Sequence, residues 1–142
     1  MFSIEHRAGR LVEIAIWSPV SAEEAAPWAE LHDRVVAGVG GPYFCLVDLS
    51  RATVFPPDAV EAYVATMRNE PLLLRTATLL GESPTLHLQI LRMIREANHP
   101  QRRAFRDARH ALGFLAEIAT ADERVRLRRL LGQGAGRGGV LE

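Results

Sequence analysis

Residues 43–50 read Tyr-Phe-Cys-Leu-Val-Asp-Leu-Ser, and this stretch decides the fold. Five apolar residues run from Tyr43 to Val47 without alternation, the pattern of a strand covered on both faces. Such a strand is the centre of a layered sheet, so its neighbours in sequence must supply the layers. Upstream, residues 2–6 and 10–17 both read as strands. The second alternates Val12, Ile14 and Ile16 with Glu13 and Ala15, and Gly9 between the two can take the positive φ of a tight turn, so the chain opens with a β-hairpin. After Ser18-Pro19, the run Ser21-Ala22-Glu23-Glu24 has the spacing of a capping box. Trp28, Leu31, Val35 and Val39 then follow at helical intervals, predicting a first helix that ends within Gly38 to Gly41.

Downstream, Pro56-Pro57-Asp58 opens a second helix with Val60, Tyr63, Val64 and Met67 on one face, and Pro71 closes it. Residues 72–80 form the next predicted strand. Gly81 is a turn, and Ser83-Pro84 starts a third helix with Leu86, Ile90, Met93, Ile94 and Ala97 as its buried stripe. A short strand at 102–105 leads to Asp107 as N-cap of a fourth helix, whose inner face is Ala111, Leu112, Leu115 and Ile118. The order β-β-α-β-α-β-α-β-α predicts an α/β domain with a mixed sheet and right-handed crossovers. Its extent is 1–119, followed by an Arg-rich helix at 120–131 and a Gly-rich tail at 132–142 that reads as flexible by composition. Val125 and Leu130 or Leu131 are the residues expected to dock that helix. Cys45, Val47, Val12, Ile14, Leu79 and Leu112 are expected to share one core.

Composition narrows the function. The 142 residues, 48% hydrophobic and 24% charged, suit one self-sufficient domain. No apolar stretch approaches the ~20 residues that span a bilayer, and the first residues lack the pattern of a secretory signal, so no transmembrane segment and a cytoplasmic location are expected. Cys45 is the only cysteine, which excludes an internal disulfide and a cysteine metal cluster. Formal charge is zero, yet residues 1–70 carry five Arg against ten acids, and residues 71–142 twelve Arg against seven. That asymmetry can orient an encounter with a partner. All basic residues are Arg, which alone is no strong signal for nucleic acid.

Candidate chemistry is sparse. Asp48, at the carboxyl end of the central strand, is either a ligand-presenting group or an acceptor for backbone N–H groups of the next loop. His6, His32, His87, His99 and His110 fall on separate elements without the pairing of a helical zinc site, so no metal is expected. Ser18, Ser21, Ser50 and Ser83 lie at turns or helix starts, where capping accounts for them. Neither Gly38-Val39-Gly40-Gly41 nor the glycines after Leu131 sit between a strand and a helix as a phosphate loop requires. No cofactor and no enzymatic activity are expected. Arg124, Arg126, Arg128 and Arg129 form either a solvated helix face or a surface for an acidic partner.

The opening hairpin, FCLVDLS at 44–50, LLLRTATLLGES at 72–83 and RRAFRDARHALGFLAE at 102–117 together resemble the STAS family, named for sulfate transporters and anti-sigma-factor antagonists, over residues 2–118. The resemblance is to its bacterial SpoIIAA-like branch. It implies a STAS fold and a regulatory protein-interaction module that presents residues 54–68 and the neighbouring loop to a protein partner. Arg51, Thr53, Asp58 and Glu61 are the contact residues on that surface, joined by Arg124 and Arg128 from the C-terminal helix. In antagonist members a serine at the start of the second helix is phosphorylated; here that position falls at Pro57 or Asp58, so the switch serine is absent. Asp58 is then either a favourable charge at a helix start or a permanently charged partner surface. Homodimerisation through the Arg-rich helix is left open. The branch is also similar in fold to lipid-transfer domains, which gives the alternative reading: a domain for a small apolar ligand or lipid, requiring a cavity beneath the helices.

Overall fold

The structure, a computed structural model, describes residues 1–137, with side chains described as far as Gly132. The chain runs β1 (Phe2–Ala8), β2 (Leu11–Ile16), α1 (Ala25–Val39), β3 (Tyr43–Leu49), α2 (Pro57–Arg68), β4 (Leu73–Leu80), α3 (Pro84–Ala97), β5 (Arg102–Phe105), α4 (Ala108–Ala116) and α5 (Ala121–Arg137), with a 3-10 turn at Ala22–Glu24 before α1. This is an α/β architecture on one mixed five-stranded sheet in the order β1-β2-β3-β4-β5. Only β1 is antiparallel to its neighbour; β2, β3, β4 and β5 are mutually parallel, and β3 lies at the centre as its unbroken apolar run predicts.

Local signals account for the element ends. Gly9 holds φ +51° in the hairpin turn and Gly40 φ +80° at the end of α1, both unfavourable for a residue with a Cβ. Glu24 accepts the Ser21 N–H at 2.9 Å, the returning half of the capping box. Ser83 Oγ accepts the Leu86 N–H at 3.1 Å and Asp107 Oδ1 the Arg109 N–H at 2.8 Å, capping α3 and α4.

Strand order dictates the layering. From β2 to β5 each strand is placed on the same side of the one before, so right-handed crossovers put all three connecting helices on one face. That face is covered by α1, α2 and α3, and packs Val12, Ile14 and Cys45 against Trp28, Tyr63, Ile90 and Met93. The opposite face is left for α4 and α5, which cover Leu11, Phe44, Leu46 and Ala77 with Ala111, Leu115, Leu127 and Leu131. The expectation of one shared core is therefore corrected. Leu79 and Leu112 belong to the second cluster, and Val47 is a partly buried neighbour of the first. The reason is the two-residue period of a strand, which sends Leu79 to the face opposite Thr76, Thr78 and Leu80.

The C-terminal helix also departs from expectation. Val125 is 52% exposed and does not dock; Leu131 does, as expected, together with Leu127 one helical turn before it, both buried. The helix continues to Arg137, past the boundary drawn at residue 131, because glycine lowers helix propensity without forbidding helical geometry. The rest of the expected tail, 138–142, lies outside the described residues. Arg126 points back to the sheet and pairs with Glu13 at 2.7 and 2.8 Å, so part of the charge asymmetry is satisfied within the chain.

Candidate ligand cavity between the sheet and the first helical layer

On the face covered by α1–α3, the inward positions of the strands are not all apolar. Tyr43 and Cys45 on β3, Thr76 on β4 and Arg102 on β5 point to the same side, with Cys45 and Arg102 both in register with Thr76. Above them, α1 presents Trp28 and His32, four residues apart on its buried face, with their rings stacked at 5.1 Å. Glu70, buried in the connection between α2 and β4, joins these elements. Its Oε1 accepts from the Tyr43 hydroxyl at 2.9 Å and lies 2.7 Å from His32 Nε2, while its Oε2 accepts from Arg102 Nη2. The same guanidinium donates to the Met67 carbonyl at 2.9 Å.

The side chains of His32, Glu70 and Arg102 are each 5% exposed or less. Burial alone works against charge on both His32 and Glu70, but their contacts outweigh it. His32 is shifted up from 6.5, burial being opposed by the hydrogen bond and charge of Glu70. Glu70 is shifted down from 4.5, burial being opposed by His32 and Arg102. The contacts thus shift both groups toward their charged forms. Burial, aided by the Glu70 charge, raises the Cys45 thiol far above its ordinary value, which disqualifies it as a nucleophile at neutral pH. Tyr63 is pushed up to about 12 by burial and by the charge of Glu24.

A cavity of about 70 Å³ adjoins this cluster. Its apolar wall includes Ile14, Val47, Ile90 and Met93, and its polar wall includes His32, Glu70 and Arg102. Four polar atoms of lining residues are buried without a nitrogen or oxygen hydrogen-bond partner: Trp28 Nε1, Tyr63 Oη, Arg102 Nε and Thr76 Oγ1, the last beside the Cys45 thiol. Each such group costs ~1–3 kcal/mol, and native interiors hold few of them, so four on residues lining one space call for an explanation. Met67 and Glu70 line both this cavity and a surface depression formed with Arg68, Asn69, Ala97 and His99 at the ends of α2 and α3.

The residues singled out from sequence lie elsewhere. Arg51, Thr53, Asp58 and Glu61 are all exposed, on the loop after β3 and the first turns of α2. Arg51 stands over the Trp17 ring at 5.4 Å, and the Thr53 hydroxyl is 3.1 Å from Ser18 Oγ. Arg124 and Arg128 are exposed on α5, across the sheet from α2, so the structure does not bring the six together. Asp48 accepts from the backbone and hydroxyl of Ser50 at 2.9 and 2.6 Å, the turn role among its two readings. The sheet also lacks a reversal of strand order between β2 and β5, the place where open α/β sheets form a crevice at their strand ends.

Sequence reasoning missed the His32–Glu70–Arg102–Tyr43 cluster. One signal was available: His32 lies four residues after Trp28 on the apolar face of α1, where a histidine needs a partner. Among the described residues there is no group of three or more His, Cys, Asp or Glu arranged to hold a metal, and no helix long and apolar enough to cross a membrane. Comparison with family models, with curated proteins and with solved structures found no match to the chain.

Proposed function

We propose that this domain is a non-catalytic binding module that takes a small, mainly apolar ligand into the cavity beneath α1–α3. The observation that carries this reading is the conjunction of an apolar wall with four unpartnered polar atoms on residues that line a space of about 70 Å³. Ligand sites are built in this way, from apolar lining with a few placed polar groups. An apolar cavity of ~150 Å³ accepts benzene, so the present space takes roughly three heavy atoms before any side chain moves. Met67 and Met93 in its wall can adjust by rotation. A lipid chain would require α2 and α3 to part, which makes a small ligand the better match.

The test is a titration of ¹⁵N-labelled protein with 1-propanol, acetone and propionate, followed by NMR. Saturable shifts centred on Val47, Thr78, Ile90 and Met93 are expected with at least one of them. No saturable shift with any of the three overturns the reading.

A second reading has its own observation. Val54 is 47% exposed beside Arg51, Thr53, Asp58 and Glu61, and neither Asp58 nor Glu61 has a hydrogen bond or ion pair among the described residues. This is a surface available to a protein, and it coincides with the region that the STAS resemblance implies for partner contact. In this proposal the domain is a bacterial, cytoplasmic regulatory module, with no switch serine at Pro57 or Asp58 and with ligand occupancy tuning partner affinity. Arg51→Ala and Asp58→Asn are expected to weaken capture of a partner by the immobilised domain while leaving its thermal stability unchanged. Undiminished capture by both variants removes this surface from the proposal.

A further inference from the structure

The four unpartnered atoms share what they can offer a ligand. Arg102 Nε–H and Trp28 Nε1–H are donors only, while the hydroxyls of Tyr63 and Thr76 can also donate. None of the four requires a donor from the ligand, so the complementary group is an acceptor. A hydrocarbon leaves all of them unpaired. An alcohol brings one oxygen, whereas a carboxylate brings two oxygens with about four acceptor positions.

Charge points the same way. The buried cluster contains the Arg102 cation from β5 and His32 from α1, whose protonated form the Glu70 contact favours, facing one buried carboxylate, Glu70, in the α2–β4 connection. Tyr43 from β3 adds no charge, since burial raises its pKa far above neutrality. Asp33 does approach His32 Nδ1 at 3.3 Å, but its side chain is 78% exposed and its charge is therefore screened by water. Glu70 is already occupied, with His32 and Tyr43 at one oxygen and Arg102 at the other. Glu70 is thus fully engaged and offers nothing to the remaining donors, and each protonation of His32 adds a positive charge beside them.

We propose that the cavity, widened by rotation of Met67 and Met93 in its wall, selects a two- or three-carbon aliphatic carboxylate, its carboxylate bonded by Arg102 Nε–H and the neighbouring Thr76 hydroxyl and its hydrocarbon end against Val47, Ile90 and Met93. Thr76 and Arg102 are register partners on adjacent strands, which sets the two lining residues side by side on the sheet. Trp28 and Tyr63, whose rings meet edge to face at 4.8 Å, form a second wall that orients the ligand. This proposal rests on the cavity being a ligand site, and its test separates the two claims.

The full 142-residue chain is titrated with propionate, propionamide and 1-propanol at constant ionic strength, by calorimetry and by NMR. Propionate is expected to bind about tenfold more tightly than either neutral comparator, since a hydrogen bond to a charged group exceeds a neutral one by about that factor. Thr76→Val, which keeps the shape and removes the hydroxyl, and Trp28→Phe are each expected to weaken propionate about five- to tenfold. Equal affinity for the three compounds overturns the carboxylate and leaves the cavity as a ligand site. Propionate binding unchanged in both variants also overturns it, because the anion then sits elsewhere. Binding of none of the three overturns the ligand site itself.

Discussion

His32 Nε2, in the middle of α1, lies 2.7 Å from Glu70 Oε1 in the connection before β4, an ion pair buried on both sides. It ties the first helix to the sheet through Glu70, which also holds Tyr43 and Arg102. A histidine whose pKa is raised by folding stabilises the fold below its unfolded value near 6.5, and that contribution is lost as pH rises through the folded pKa. A glutamate whose pKa is lowered contributes above about 4.5 and loses that contribution as pH falls through its folded pKa. The pair is therefore fully effective between about pH 4.5 and 6.5. Urea denaturation from pH 4 to 9 should show stability falling on the alkaline side, and His32→Gln should flatten that limb. An identical alkaline slope in the variant would mean that His32 does not gain its proton on folding.

Glu123 makes a second long-range tie. Its carboxylate accepts the Arg10 N–H at 2.6 Å from the hairpin turn and the Thr120 N–H at 2.8 Å from the start of α5, and its side chain is buried. Glu123→Ala leaves both N–H groups without that acceptor, and a loss of about 2–3 kcal/mol is expected in chemical denaturation. Gly9→Ala should be at least as harmful, because a Cβ there meets the same carboxylate and φ is +51°. A stable Gly9→Ala protein would contradict the packing of α5 on the hairpin.

The docking of α5 has its own contrast. Leu127 is fully buried in the second core, so Leu127→Ala should cost about 2–5 kcal/mol, whereas exposed Val125→Ala should stay within about 0.5 kcal/mol of wild type. Equal effects at the two positions would show that the helix does not pack by this face.

Much of the backbone was legible because its signals are local. The apolar run from Tyr43, the turn at Gly9, Ser83 before Pro84 and Asp107 before α4 each act within a few residues, and each marks an element boundary in the structure. The two cores were not separated, since the face that a strand residue occupies depends on its register with neighbours, and Leu79 is as apolar as Leu80. Arg102 and Arg103 illustrate the same limit: adjacent and chemically identical, one is buried against Glu70 and the other is exposed. The cluster around Glu70 brings together residues 32, 43, 70 and 102, and no sequence spacing encodes that meeting.

Within the cavity, Thr78→Ile is expected to fill space near Val47 and Ile90 and to abolish small-molecule binding while the protein stays folded. Propionate affinity and thermal stability measured together check this. Retained affinity in a folded Thr78→Ile protein would place the ligand outside the cavity.

Diffraction from crystals pressurised with xenon probes the cavity most directly, because xenon enters buried apolar space without needing a hydrogen bond. The predicted result is a xenon atom between the sheet and α3, within contact of Val47, Ile90 and Met93. Xenon found only on the surface, with ordered water or shifted side chains filling the space beside Arg102 and Thr76, would contradict it.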